Sequence, residues 1–205
     1  MILVHLGYTG GMIEIEAKFL VGHEETREKL KKLGGVLVKP MREMTRQCLD
    51  IPGRAGDGSW LRVRDEGDGE VTMSYKQQGE RTISGTSEIC LRVDNLENAL
   101  LFLKECGMVV KSLQQTRRES WELFGASIDL DEWPWIPSFI EIEAEDEETV
   151  RRVAEELGLD MANAIYGSVE PIYMKYYDVS EEDIDGWEEI LLGPVPEWLE
   201  IKRRA

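Results

Sequence analysis

The stretch Met12-Ile13-Glu14-Ile15-Glu16-Ala17-Lys18-Phe19 alternates strictly between polar and apolar side chains. A two-residue period is typical of a β-strand with one charged face and one apolar face. Glu14, Glu16 and Lys18 share the charged face. Two carboxylates and an ammonium group side by side suit a site that holds a divalent cation and a phosphate together. The alternative is an antiparallel strand whose charged face is simply solvated.

The overall composition indicates a globular protein and argues against some functional classes. The chain has 205 residues, of which 42% are hydrophobic and 32% charged, so it can bury a sizeable core. Its formal net charge of −17 argues against a general nucleic-acid binder, which needs a basic surface. The apolar runs are shorter than a membrane span, and the first residues do not have the pattern of a signal peptide. We therefore expect a cytoplasmic protein that binds neither DNA nor a membrane.

Cysteine and histidine are too few and too widely spaced to predict a zinc site. The cysteines are Cys48, Cys90 and Cys106, and the histidines are His5 and His23. The cysteines are expected to be reduced, packed thiols. If a metal binds, carboxylates must hold it, and carboxylates select hard cations such as Mg²⁺ or Mn²⁺.

Several later segments repeat the alternation of the first strand. The predicted strands include Trp60–Arg64, Val71–Lys76, Thr82–Val93, Val109–Leu123, Ser127–Asp131 and Phe139–Ala144. The faces opposite their aliphatic residues carry charge rather than the serine and threonine of ordinary solvated strands. Those charged residues are Arg62, Arg64, Lys76, Glu88, Arg118, Asp129, Asp131, Glu141 and Glu143. A closed or nearly closed antiparallel sheet with these faces inward would form a charged tunnel.

Helical segments separate the strands and are expected to pack on their apolar faces. Helices are predicted over His23–Leu33, Asn95–Cys106 and Glu147–Leu157, from amphipathic spacing, charged ends and terminal glycines. An interior lined with charge is sustainable only if it is wet and binds charged ligands, because a buried unpaired charge is costly. Cations for the carboxylates and a polyanion for the arginines and lysines meet that requirement.

The predicted domain organisation has three parts. Residues 12–179 form one domain with an internal half-repeat, since Glu141-Ile142-Glu143-Ala144 echoes Glu14-Ile15-Glu16-Ala17. Residues 1–11 are expected to be a weakly ordered extension, or Met12 is the true start. Residues 180–205 are expected to be an accessory segment packed on the outside.

The ordered set of charged motifs resembles the CYTH family, also called the triphosphate tunnel metalloenzymes. Besides Glu14-x-Glu16-x-Lys18, the resemblance rests on Leu61-Arg62-Val63-Arg64, on Lys76, Glu88 and Arg118, on Leu130-Asp131-Glu132 and on Glu141-Ile142-Glu143. It covers about residues 12–178. Two positions depart from the family pattern: Thr116 stands where a lysine is frequent, and Arg46–Asp50 keeps only the last aspartate of an Asp-x-Tyr-x-Asp-like strand.

The resemblance implies an α+β fold, an eight-stranded antiparallel closed or nearly closed β-barrel with a charged interior and helices packed outside. It implies that the metal ligands are Glu14, Glu16, Glu141 and Glu143, with Asp131. It also implies that the triphosphate is held by Lys18, Arg62, Arg64, Lys76 and Arg118. The residues expected to act in catalysis are Glu14, Glu16, Lys18 and Lys76.

The resemblance leaves three functions open. The first is divalent-metal-dependent hydrolysis of a small-molecule triphosphate, either inorganic tripolyphosphate or an organic triphosphate. The second is a class IV adenylate cyclase that converts ATP to cyclic AMP and pyrophosphate. The third is an inactive module that binds polyphosphate or a nucleotide. The oligomeric state is also open, with a homodimer as one option.

Overall fold

The computed structural model describes residues 12–54 and 56–204. The prediction for residues 1–11 lies outside the described residues. No helix in the described part of the chain is both long and apolar enough to cross a membrane.

Nine strands are described, and eight of them form a closed barrel. They are β1 (Met12–Phe19), β2 (Val36–Asp50), β3 (Ser59–Asp65), β4 (Val71–Gln78), β5 (Thr86–Val93), β6 (Val109–Leu123), β7 (Ala126–Glu132), β8 (Phe139–Ala144) and β9 (Glu189–Ile190). The order is β2-β3-β4-β5-β1-β8-β7-β6, and antiparallel pairing of β2 with β6 closes the ring. The short β9 pairs in parallel with β6, outside the barrel. The predicted closed antiparallel barrel is therefore confirmed.

Six α-helices are described in the same residues, which gives the α+β fold that was predicted. They are α1 (His23–Leu33), α2 (Leu96–Glu105), α3 (Glu147–Glu156), α4 (Glu170–Tyr176), α5 (Glu181–Asp185) and α6 (Glu197–Glu200). The first has the predicted bounds, because Gly34 ends it in a left-handed conformation with φ of 85°. Acidic residues occupy its first turn and basic residues its last turn, as the helix dipole favours.

The aliphatic faces of the strands point outward, against helices. Leu30 of α1 and Val150 and Val153 of α3 pack in one core cluster with Ile140 and Ile142 of β8. All five are fully buried, and burying such a side chain contributes roughly 1.5–3 kcal/mol. Apolar packing on the outside of the barrel thus stabilises a sheet whose inner face is charged.

The C-terminal part of the chain packs on a second apolar cluster. Ile184, Ile190 and Leu199 lie there with Tyr173 and Tyr177. The Tyr173 hydroxyl donates a hydrogen bond to the Pro134 carbonyl at 2.8 Å. Residues 180–204 therefore contact the body of the protein, while their status as a separate accessory segment stays a prediction.

One strand begins later than its sequence pattern indicates. The prediction began at Thr82, but β5 begins at Thr86. Thr82 N donates to the Glu80 carbonyl at 2.9 Å, and Gly85 N donates to the Thr82 carbonyl at 3.1 Å. These bonds close a turn. The Ile83 carbonyl still accepts a hydrogen bond from Glu16 N of β1 at 2.9 Å, so residues 82–85 contact β1 but do not continue the regular pairing of β5.

Candidate functional site

The charged residues singled out from the sequence lie on one face of the sheet, the inner face of the barrel. Cross-strand partners on that face include Lys18 with Glu141, Glu16 with Glu143, Lys76 with Glu88, and Arg118 with Asp131. Because side chains directly opposite each other in a sheet point the same way, this register gathers them in the interior. Glu14, Glu16 and Lys18 are each at most 8% exposed.

Two regions of the interior differ in charge. We call the first the acidic wall, formed by the inward carboxylates of β1, β5, β7 and β8: Glu14, Glu16, Glu88, Asp129, Asp131, Glu141 and Glu143. We call the second the basic wall, formed by three inward arginines of β2 and β3: Arg46, Arg62 and Arg64. Three further cations, Lys18, Lys76 and Arg118, lie among the carboxylates of the acidic wall.

Both lysines are held by carboxylates. Lys18 Nζ donates to Glu16 Oε1 at 2.6 Å and lies 3.7 Å from Glu141 Oε1. Lys76 Nζ lies 2.9 Å from Glu14 Oε1 and 3.5 Å from Glu88 Oε2. Burial disfavours the charged form of Lys18, but Glu141 and Glu16 outweigh it and raise its pKa.

Arg118 is surrounded by carboxylates on three sides. Its Nε and Nη2 atoms bind Asp131 in a bidentate pair, each at 2.7 Å. Its Nη1 donates to Asp129 Oδ2 at 2.6 Å, and its Nη2 lies 3.3 Å from Glu141 Oε2. Burial opposes the charge, yet Asp129, Asp131 and Glu141 together raise the Arg118 pKa. Asp131 is fully buried, and both of its carboxylate oxygens accept hydrogen bonds from Arg118.

The carboxylates of the acidic wall outnumber the three cations that lie among them. Burial, and then contact with the carboxyl group of Glu88, raises the pKa of Glu14 to about 7. Burial and the charge of Glu141 raise the pKa of Glu16 as well. Glu14 Oε2 is buried and has no hydrogen-bond partner among the described residues. Buried carboxylates with raised pKa values are groups that a cation would stabilise in the ionised form.

Glu143 extends the acidic wall to an exposed position on β8. Among the described residues its side chain makes no ion pair. Surrounding protein and the charge of Glu141 raise its pKa. It is therefore a further carboxylate of the acidic wall that has no cation.

The basic wall has the opposite imbalance. Arg62 Nη2 donates to Glu88 Oε1 at 2.9 Å, and its Nε atom is buried with no hydrogen-bond partner in the part of the chain that the structure describes. Arg64 Nε donates to Glu66 Oε1 at 2.8 Å. Burial and the neighbouring Arg62 lower the Arg64 pKa to about 10 even though Glu66 opposes the shift. An anion placed here would relieve that repulsion.

Arg46 belongs to the basic wall but was not among the site residues predicted from the sequence. It is 5% exposed and lies opposite Arg64 across the β2–β3 pair. Register shifts at Leu37/Lys39, Lys39/Arg42 and Cys48/Leu49 interrupt the alternation of β2, so its inward residues could not be assigned from the pattern. The one available indication in the sequence was the pair of arginines on β3, the strand that pairs with this part of β2.

The residues present fit a divalent cation by their chemistry rather than by a ready-made cluster. Within residues 12–54 and 56–204, no three His, Cys, Asp or Glu side chains are gathered closely enough to hold a metal ion. The carboxylates instead point to Lys18, Lys76 and Arg118. The unpaired Glu14 Oε2 and the oxygen-only character of the acidic wall match a hard cation such as Mg²⁺ or Mn²⁺.

Comparisons with known proteins agree with this geometry. A family model described as the CYTH domain matches residues 12–168. A comparison with curated proteins found no match.

Solved structures with the same fold come from several organisms. The PH1012 protein from Pyrococcus horikoshii OT3 is 23% identical, with a TM-score of 0.67, over 78% of this chain and 99% of that one. A candidate adenylate cyclase from Vibrio parahaemolyticus is 19% identical, with a TM-score of 0.69, over 80% and 99%. A candidate adenylyl cyclase from Hippeastrum, described as revealing a dominant triphosphatase activity, is 18% identical, with a TM-score of 0.54, over 80% and 96%. At these identities the likeness shows the fold alone.

Proposed function

The chain belongs to the CYTH family, and from that premise we propose that it hydrolyses a small-molecule triphosphate inside its barrel in a reaction that needs a divalent cation. The structural neighbours described as a candidate adenylate cyclase and as having triphosphatase activity support an enzyme of this family. Inorganic tripolyphosphate is the simplest substrate that this proposal allows. The cytoplasmic location and the homodimer stay predictions.

One observation carries the proposal: a single closed barrel holds two walls whose unbalanced charges have opposite signs. The acidic wall has more carboxylates than cations, and burial raises the pKa values of Glu14 and Glu16. The basic wall has buried arginines with too few anions, such as Arg64. A complex of a triphosphate with a divalent cation brings a cation to the first wall and phosphate oxygens to the second.

The proposed roles follow from this division. Glu14, Glu16, Glu141 and Glu143 would hold the cation, and Asp131 could join them only by loosening its pair with Arg118. Lys18, Arg62, Arg64, Lys76 and Arg118 would hold the phosphate groups. When bound, the cation would neutralise phosphate charge and lower the pKa of a bound water.

The chain's own residues would contribute by positioning and by charge. Arg62 and Arg64 would orient the triphosphate through planar, multiply donating groups. Lys18 and Lys76 would stabilise the negative charge that develops on phosphoryl oxygens as the bond to the leaving group lengthens. Because both lysines are already fixed by carboxylates at 2.6 and 2.9 Å, little reorganisation would be needed at that moment.

Adenylate cyclase activity is a second proposal, because the same walls would hold the triphosphate of ATP. The cyclase would use the ribose 3′-hydroxyl as the nucleophile and release pyrophosphate. It would also need a surface for the adenine base. The third possibility, a binding module without turnover, requires fewer carboxylates than the acidic wall provides.

A single panel of assays separates these possibilities. Purified protein with Mg²⁺ or Mn²⁺ is offered tripolyphosphate, thiamine triphosphate and ATP, and phosphate, pyrophosphate and cyclic AMP are all measured. A Glu14→Gln, Glu16→Gln variant tests the acidic wall. A Glu43→Gln variant is the matched control, because Glu43 pairs with Arg117 on the outside of the barrel, at 3.5 Å.

Phosphate release from a triphosphate, lost in the double variant and kept in the control, would support the hydrolase. Cyclic AMP and pyrophosphate from ATP would replace the first proposal by the second. Tripolyphosphate that raises the melting temperature without any turnover would leave only the binding module.

A further inference from the structure

Arg46 is a buried cation in the barrel interior that no carboxylate of the described residues balances. It lies on β2 between Arg64 of β3 and Gln114 of β6, its two cross-strand partners. Three other inward arginines each contact a carboxylate: Arg62 contacts Glu88, Arg64 contacts Glu66, and Arg118 contacts Asp131. Arg42, on the same face of β2, instead donates to backbone carbonyls and to the Ser120 hydroxyl. Arg46 makes no such ion pair within residues 12–54 and 56–204.

The contacts of Arg46 fix its orientation without neutralising it. Its Nη2 atom donates to the hydroxyl of Thr116, and its guanidinium carbon lies 4.7 Å from the centre of the Trp133 ring. Its Nε atom is buried and has no hydrogen-bond partner among the described residues. A guanidinium that stacks on an aromatic ring keeps its in-plane N–H donors free for an anion.

The surroundings make this arrangement unfavourable without a ligand. Burial, together with the nearby charges of Arg64 and Arg62, lowers the Arg46 pKa to about 9. Arginine does not give up its proton under ordinary conditions, so this shift expresses a cost of keeping the charge. A buried, unpaired and preoriented cation beside two other arginines is the arrangement expected of an anion site.

We propose that Arg46 binds the substrate directly, and that with Arg62 and Arg64 it forms a pocket for one phosphate group of the triphosphate on the basic wall. The inference rests on the proposed function for the identity of the substrate. It adds a residue whose role is to bind a phosphate oxygen by charge-assisted hydrogen bonds, while Trp133 and Thr116 hold its guanidinium plane in place.

The competing explanation is that Arg46 is structural and serves to anchor Trp133, which follows β7 in the chain. The two explanations differ in the ligand-free protein. If Arg46 is structural, Arg46→Gln should lower the melting temperature and leave the affinity of the folded protein for anions unchanged. If Arg46 is an anion ligand, removal of the unpaired charge should leave the ligand-free melting temperature equal or higher and weaken anion binding.

The test measures tripolyphosphate binding by calorimetry in the presence of a chelator, so that binding is separated from turnover. Wild type, Arg46→Gln and Arg46→Lys are compared with Arg117→Gln, a control that removes an arginine from the outer face of β6, where its side chain is 45% exposed. We expect Arg46→Gln to weaken binding by about 10- to 100-fold, as for loss of a charge-assisted hydrogen bond. Arg46→Lys should give a smaller loss, since it keeps the charge but not the planar donors.

The outcomes separate the two proposals. If wild type binds tripolyphosphate and Arg46→Gln binds it equally well, the role of Arg46 is overturned and the proposed function stands. If wild type neither binds nor turns over any triphosphate, the proposed function fails, and inorganic sulfate becomes the probe. Stabilisation by sulfate that disappears in Arg46→Gln would then still support the anion pocket, and its persistence or its absence from wild type would refute it.

Discussion

The acidic and basic walls of this barrel are built from the same kind of element but are balanced differently. On the acidic wall every cation has a carboxylate within about hydrogen-bonding range, for example Lys18 with Glu16 at 2.6 Å. On the basic wall the arginines have few anions, and Arg46 has none among the described residues. The difference teaches that the interior cannot neutralise itself by internal ion pairs alone. Its remaining charges are complementary to a ligand that carries a cation at one end and anionic oxygens at the other.

The largest expected effect comes from breaking the acidic wall at Glu141. This side chain contacts both Lys18, at 3.7 Å, and Arg118, at 3.3 Å. Glu141→Gln should reduce turnover of the active triphosphate by about 1,000-fold, the scale seen when one preorganised electrostatic contact is lost. Steady-state kinetics with Mg²⁺ would measure it, and a loss of less than about tenfold would remove Glu141 from the proposed site.

A second prediction separates the roles of the two walls. Arg64→Gln should lower kcat/KM by about 10- to 100-fold by removing a phosphate contact, with an unchanged Mg²⁺ dependence. Glu16→Gln should instead raise the Mg²⁺ concentration needed for half-maximal activity by about tenfold or more. Mg²⁺ titrations at saturating and limiting substrate would measure both. If the two variants shift the Mg²⁺ dependence equally, the division into walls has no functional meaning.

A third prediction uses the titration of Glu14 in the ligand-free protein. Its pKa is raised from 4.5 to about 7, so the folded state favours the protonated form. The stabilisation is therefore fully present below about pH 4.5 and is lost as the pH rises through about 7. From about pH 5 to about pH 8 this group should lower the free energy of unfolding by on the order of 2 kcal/mol.

Urea denaturation at several pH values would measure that decline. Glu14→Gln should show a flatter dependence on pH than wild type, and Glu43→Gln, on the outside of the barrel, should keep the wild-type slope. A Glu14→Gln variant with the same slope as wild type would show that Glu14 titrates normally.

The smallest expected effect comes from removing a carboxylate that pairs with the basic wall, which increases the unbalanced positive charge of that wall. Glu66 accepts hydrogen bonds from Arg64 Nε at 2.8 Å and from the Thr72 hydroxyl at 2.6 Å. Although burial opposes its ionisation, Arg64 and Thr72 lower its pKa. Glu66→Gln should strengthen tripolyphosphate binding by about two- to fivefold and destabilise the ligand-free protein by about 1–2 kcal/mol. Calorimetry and thermal unfolding would measure the two changes, and weaker binding would contradict the prediction.

The barrel and most of its charged interior could be predicted because the signal is local. In β1 and β8 the alternation is unbroken, so the inward phase of Glu14, Glu16, Glu141 and Glu143 follows from the period of two. The echo between these strands has a structural meaning, because β1 and β8 are antiparallel neighbours. Their pairing brings the carboxylates of both segments onto one wall.

The sequence could not show which charged residues pair with each other. It also could not show which residues of β2 point into the barrel. Irregular pairing within β2 breaks the alternation of its side chains, so the inward orientation of Arg46 could not be predicted. Only the arginines of β3, the neighbouring strand, indicated the basic wall. The pairing of Arg118 with Asp129 and Asp131 depends on the β6–β7 register, which no local pattern specifies. Similarly, Thr82–Gly85 alternates well enough to resemble a strand, but its backbone forms a turn in which Gly85 N donates to the Thr82 carbonyl.

Closure of the barrel also determines the order in which the acidic wall can be assembled during synthesis. β1, the first strand described, has β8 as one of its two neighbours. Residues 12–19 therefore cannot form this pairing until residues 139–144 have been synthesised. Until β8 emerges, β1 and β7 each lack a neighbour, and their open edges are exposed to other chains. Such long-range pairing makes folding slow. A nascent chain released before Phe139 would therefore lack Glu141 and Glu143, and its sheet would remain open and prone to self-association.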